Sequence, residues 1–235
     1  MLFLLPPSES KAKGGGSIDI TKSALTFGAL NSARDKVLEA AGDKSLLTAP
    51  TMPAIDRYNG TLFAAIHGRG LKGSGTENNS LDSSQRKVAK SMVLIQSAMF
   101  GLISTSDLIP EYKIDPSKLL NGLNLKTHWN QAHEKIWPRI TNGPIIDLRS
   151  KSYAELAPIP TAIESYRVSV YLEKKDQSRE KLNHFNKKAK GELVRAAITA
   201  DPPPKTLAEL KKCAKKSGLA IESEGRELTL IIFET

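Results

Sequence analysis

The stretch "YRVSVYLEKKDQSREKLNHFNKKAKGELVRAA", Tyr166 to Ala197, changes its apolar period midway. From Tyr166 to Glu173 apolar and polar side chains alternate, which puts them on opposite faces of a strand. From His184 to Ala197 the apolar residues return at helical spacing. With Phe185 at 0° and a step of about 100° per residue, Ala189, Leu193 and Ala196 share one sector, the core face. Lys187, Lys188, Gly191 and Arg195 gather on the opposite side. A strand leading into a helix excludes the all-α and all-β classes and sets a mixed α/β (α+β) reading.

The glycine inside that basic face needs a reason, because glycine in a helix interior costs about 1 kcal/mol relative to alanine. A solvated face gains nothing from it, whereas a close approach of another backbone needs the missing Cβ. The expectation is that Lys187, Lys188 and Arg195 hold phosphates and Gly191 makes room for them. The competing reading is a soluble lysine face with an incidental glycine.

Outward from this segment, strands and helices mix without strict alternation. Met1–Leu5 reads as a buried strand stopped by Pro6-Pro7, Ile145–Leu148 as a second, and "LAIESEGRELTLIIFE" as a hairpin. Ser23–Ala41 has a loose helical pattern closed near Gly42. Ser84–Gly101 reads as one helix capped by Asp82 or Ser83, and Thr127–Ile140 as another, capped by Thr127 and interrupted at Pro138. Ser152-x-x-Glu155 and Thr206-x-x-Glu209 have the capping-box spacing. The 235 residues suit a single domain, 1–235.

The formal net charge is +9. Leu172–Lys216 holds thirteen Lys and Arg against six Asp and Glu, so this segment carries +7 of it. Clustered basicity points to phosphate-bearing partners. The single cysteine, Cys213, excludes an intrachain disulfide and fits a reducing cytoplasm. It lies beside an apolar stripe, which favours a packing role over a sensor role. No run is long enough to span a bilayer, so no membrane partner is expected.

Gly68, Gly70 and Gly73 match G-x-G-x-x-G, but "SGTENNS" follows instead of a helix, so a loop is the better reading. His67, His128, His133 and His184 show no ligand spacing, and neither a metal nor another cofactor is expected. In "IIDLRSKSY" a strand end runs into a short helix, where Arg149, Ser150 and Ser152 can complete an anion site or Ser152 can simply cap.

Six stretches taken together resemble one family. "LLPPSESK" at Leu4–Lys11 is similar to the Pro-Pro-Ser-Glu-Gly-Lys opening of the YaaA family of peroxide-stress proteins. "RYNG" at Arg57–Gly60, "SAMFGLISTSDLIPEYKI" at Ser97–Ile114 and "HWNQAHEKI" at His128–Ile136 follow in family order, as do "IIDLRSKSY" at Ile145–Tyr153 and "FNKKAKGELVR" at Phe185–Arg195. Ser10, Ala98 and Ser104-Thr105 depart from the family pattern. The resemblance implies a single α/β domain with a positively charged cleft, a helix-hairpin-helix element, DNA binding and a part in the peroxide response. Carried over by position, the hairpin element falls at Ala98–Ile103, with Phe100, Gly101 and Asp107. The cleft falls on Lys11, Arg57, Tyr58, Tyr112 and Lys113, then on Arg149 and Tyr153, and finally on Lys187, Lys188, Lys190 and Gly191.

The expected function is therefore DNA-backbone binding by a cytoplasmic monomer with little sequence preference, the tyrosines favouring distorted or partly single-stranded DNA. An alternative is an enzyme acting on a nucleotide or nucleic acid, with Lys11, Asp147, Arg149 and Lys187 around a phosphate. A third reading is a module that binds acidic proteins.

Overall fold

The computed structural model of the chain describes residues 1–16, 20, 24–69, 80–140, 143–182 and 186–234. The Gly70 and Gly73 of the glycine motif, and His184 and Phe185, lie outside the described residues.

The first strand, β1 (Leu2–Leu5), is buried on both faces, as its unbroken apolar run requires. After it come α1 (Asn31–Ala41), closed by Gly42 at φ +68°, then β2 (Thr51–Pro53), α2 (Ala54–Arg57) and α3 (Thr61–Ile66). Helix α4 (Ser83–Met92) is capped by Asp82, whose side chain accepts from the Gln85 N–H while Gln85 bonds back. Strands β3 (Val93–Ser97), β4 (Gly101–Ser104) and β5 (Leu108–Pro110) follow, then α5 (Leu125–His133) and α6 (Trp137–Ile140). The remaining elements are β6 (Ile145–Asp147), α7 (Lys151–Leu156), β7 (Ser165–Glu173), β8 (Arg179–Lys181), α8 (Asn186–Ile198), α9 (Leu207–Lys216), β9 (Ala220–Glu224) and β10 (Glu227–Phe233).

One sheet runs through the molecule in the order β4-β3-β1-β6-β7-β10-β9, with β8 also on β7. The five central strands, β3 to β10 in that order, are mutually parallel, and the outer strands β4 and β9 pair antiparallel. Alternate residues feed the two faces. Phe3, Leu5, Val93, Ile95 and Ile146 join the larger core under α3, α4 and α8. Leu4, Leu94 and Ile145 join the smaller one with Trp137 and Leu102. The mixed α/β expectation holds.

Several local expectations are corrected. The helix expected over Ser84–Gly101 stops at Met92, because Val93–Ser97 is buried throughout and pairs with β1 as an inner strand. Its aliphatic run satisfies either period, and pairing with β1 decides it. The hairpin element placed at Ala98–Ile103 is the turn and second arm of the β3–β4 hairpin, not a pair of helices. Gly101 takes φ +64° there, and Trp129 packs where its side chain would be. In α5 the cap is Asn124, which accepts from the Thr127 N–H, and α6 begins afresh at Trp137. Helix α7 starts after Ser150, and Glu155 pairs with Lys126 instead of closing a box with Ser152.

Candidate functional site

The topology marks one end of the sheet. The chain leaving β1 moves toward β3, whereas the chain leaving β6 moves toward β7, so the connections diverge between adjacent parallel strands. In open α/β sheets the crevice outside the carboxyl ends at such a divergence is where ligands bind. Here it is bounded by Pro6–Lys11 after β1 and by Ser150–Tyr153 after β6. A cavity of about 650 Å³ occupies it, walled on its other sides by Tyr112–Ser117 and by Lys187 of α8.

Hydrogen bonds of backbone and side chain hold the loop after β1. Lys11 makes an antiparallel bridge with Tyr58, the Ala12 N–H donates to the Arg57 carbonyl at 2.8 Å, and the Gly60 N–H donates to Ser8 Oγ at 2.9 Å. The "PPSESK" and "RYNG" stretches, 46 positions apart from Lys11 to Arg57, thus meet in space. Beneath them lies a buried chain of hydroxyls, with Tyr112 Oη 2.6 Å from Tyr58 Oη and 2.7 Å from Ser97 Oγ. Ser97 Oγ already accepts the Met99 and Phe100 N–H groups, so its own proton goes to Tyr112. Burial pushes both tyrosine pKa values up, so both stay neutral.

Lys11 Nζ lies 4.3 Å from the centroid of the Tyr112 ring and donates to the carbonyls of Ser8 at 3.2 Å and Glu9 at 3.4 Å. Burial lowers its pKa to about 8, with Glu111 opposing and Arg57 reinforcing the shift. Lys113 and Lys187 reach the cavity as exposed ammonium groups, and half-buried Tyr153 forms part of its wall. Burial raises the Tyr153 pKa.

Of the residues expected at the site, the structure brings together Lys11, Tyr112, Lys113, Ser150, Tyr153 and Lys187. The others go elsewhere. Arg57 is fully buried and clamps the fold, with Nε donating to Ile109 O and Nη2 to Gly14 O and Pro50 O, while Nη1 donates to Ala12 O. Tyr58 is 1% exposed beneath the cavity. Phe100 is core, and Gly101 is in the hairpin. Arg149, 3% exposed, forks onto Asp147 at 2.8 and 2.9 Å and donates to Ala157 O, so its donors are turned into the fold. Lys190 is half-buried, donates to Leu148 O at the end of β6, and has a pKa that burial lowers to about 8.

Gly191 requires a direct correction. It is buried, and a Cβ there would come within 2.7 Å of Ala65 Cβ and closer still to the Leu62 carbonyl, both on α3. A backbone does approach this glycine, but it is the backbone of a packed helix, and no phosphate can reach the Cα. Arg195 turns toward the same helix and donates to Ile66 O at 2.9 Å. Lys188 lies 3.7 Å from Glu192 and lines, with Arg195, a separate cavity of about 500 Å³. Within the +7 segment, Lys174 and Arg179 are also paired with acids, and among its described residues Lys187 alone lines the 650 Å³ cavity.

Residue-type reasoning missed Ser8, Glu9, Asp115 and Ser117, which complete the wall. The Asp115-Pro116-Ser117 turn signal was available to it. Asp115 Oδ1 accepts from the Ser117 N–H at 2.9 Å and from Ser117 Oγ at 2.6 Å, which fixes the loop carrying Lys113. The cavity thus presents three lysines and two carboxylates. Among the described residues no group of acids, histidines and cysteine could hold a metal, and no helix is long and apolar enough to cross a membrane.

Comparison with known proteins places the six stretches in a wider frame. The chain is 30% identical to a UPF0246 protein of Corynebacterium efficiens over 99% of both chains. It is 30% identical to one of Corynebacterium glutamicum, over 99% of this chain and all of the relative, and 29% identical to one of Streptomyces coelicolor over 95% and 93%. A family model described as peroxide stress protein YaaA matches residues 28–224. That span takes in five of the six stretches completely and ends well beyond the last of them, and the chain belongs to the peroxide stress protein YaaA family.

Proposed function

We propose that this protein binds nucleic acid in the peroxide response for which its family is named, taking an unstacked strand into the crevice between β1 and β6. The carrying observation is the convergence of Lys11, Lys113 and Lys187, from three separate segments, on one cavity with a half-buried tyrosine in its wall. Three ammonium groups suit successive phosphates. Tyr153 offers a face for a base, and stacking of this kind is tolerant of sequence.

Size decides which form of nucleic acid enters. A cavity of about 650 Å³ admits one or two nucleotides and not the width of a duplex. Distorted, bubbled or single-stranded DNA supplies such nucleotides, and a paired duplex supplies them only after unstacking, at a few kcal/mol per step. Glu9 and Asp115 keep the site from being uniformly basic, which limits non-specific attraction. In this reading the protein acts in the cytoplasm, a reducing compartment that suits a chain with one cysteine.

Fluorescence anisotropy with a single-stranded oligonucleotide, a duplex containing an unpaired bubble and a fully paired duplex tests this reading. The first two bind at least tenfold more tightly than the third. Equal affinity for all three, or no binding to any, contradicts it.

A further inference from the structure

Lys11 stands apart from the other two lysines of the cavity. Lys113 and Lys187 are exposed, whereas Lys11 is half-buried in the crevice at the carboxyl end of β1. Its Nζ is held by two carbonyls of its own loop and by the Tyr112 ring. It takes part in none of the described ion pairs. An amine fixed in this way, partly desolvated and with no carboxylate in ion-pair contact among the described residues, has the surroundings of lysines that attack carbonyl groups. The surrounding exposed lysines meanwhile supply charge for flanking phosphates.

Resting on the nucleic-acid reading, we infer that Lys11 is a nucleophile whose amine forms an imine with the aldehyde of a phosphorylated sugar seated in the cleft. A strand exposes that aldehyde wherever it has lost a base. The lowered pKa of Lys11 supplies neutral amine at mildly alkaline pH. In the step, the nitrogen lone pair attacks the aldehyde carbon and a C–N bond forms. The carbonyl oxygen leaves as water, and one proton taken from solvent leaves the nitrogen as a protonated imine. Nothing is oxidised or reduced.

The test is borohydride trapping at pH 7.5 with two probes, a single-stranded oligonucleotide carrying one abasic site and deoxyribose 5-phosphate. Adducts are mapped by peptide mass spectrometry, and reversible binding of the intact strand by the unaltered protein is measured in parallel. The expected result is an adduct on the Lys11 peptide, formed from the abasic strand at least tenfold faster than on any other lysine and lost in Lys11→Arg. Binding of the intact strand without an adduct overturns the nucleophile and leaves the binding site standing. An adduct at Lys11 from the sugar phosphate alone upholds the nucleophile and contradicts the nucleic-acid reading. Adducts spread over surface lysines, or unchanged in Lys11→Arg, overturn the inference.

Discussion

Substituting Gly191 by alanine sets two terms of opposite sign against each other. On an isolated helix the change is favourable by about 1 kcal/mol, because alanine loses less backbone freedom. In this fold the new methyl would lie 2.7 Å from Ala65 Cβ and closer still to the Leu62 carbonyl. Ordinary carbon contacts need about 3.5 Å or more, so α8 and α3 must part by close to an ångström. The moving partner is backbone and cannot rotate away. Overpacking of a well-packed core costs about 1–3 kcal/mol, and a carbonyl in the path places this case at the upper end. The net effect is a loss of about 1–2 kcal/mol. For a chain of this length that lowers Tm by roughly 2–8 °C. Thermal unfolding by circular dichroism measures it. An unchanged or raised Tm in Gly191→Ala would refute the packing argument and restore the solvent-facing reading of this glycine.

Other outcomes follow from the same structure. Arg57→Ala leaves the carbonyls of Ala12, Gly14, Pro50 and Ile109 without their donor; it costs at least about 3 kcal/mol in urea unfolding, and a loss under 1 kcal/mol would show that the clamp is dispensable. Lys190 is held with a pKa near 8 by burial, so between pH 8 and about 10.4 the unfolded chain binds more protons than the folded one. Stability therefore gains from Lys190 as pH rises through that window, and Lys190→Met flattens the rise; an identical pH profile in the variant would contradict the assignment. Cys213 lies only partly buried on α9, with its pKa raised by burial, so Cys213→Ser leaves nucleic-acid affinity unchanged with and without peroxide. A peroxide response lost in that variant would make the thiol a sensor.

Much of the frame was legible in the residues. β1, β6, β7, α9 and the final hairpin follow from apolar period, capping spacing and turn residues. Val93–Ser97 did not, because all five residues are buried, Gln96 and Ser97 among them, so no exposed face reveals their period. The site was half legible for a related reason. A residue's type states that Arg57 and Arg149 are cations, but not whether water or carbonyl oxygens surround them. Both became internal donors, while Lys11, Lys113 and Lys187 reached the cavity. At Gly191 the inference of a close backbone was right in kind and wrong in partner, since nothing in a helical wheel distinguishes α3 from a phosphodiester. The +7 segment misled in another way: in the fold, several of its charges pair with acids, and among its described residues one, Lys187, reaches the cleft.

The central claim is that the crevice between β1 and β6 holds phosphates on its lysines, and salt dependence tests it most directly. Each phosphate contact on a single strand contributes about −0.7 to the slope of log K against log salt. Anisotropy titrations of a single-stranded oligonucleotide are made with the unaltered protein, with Lys113→Ala/Lys187→Ala, and with Lys212→Ala/Lys216→Ala on exposed positions of α9, outside the cavity wall. The cleft pair makes the slope shallower by about 1.4, and the α9 pair leaves it unchanged. The reverse pattern, a slope indifferent to the cleft and sensitive to α9, would contradict the account.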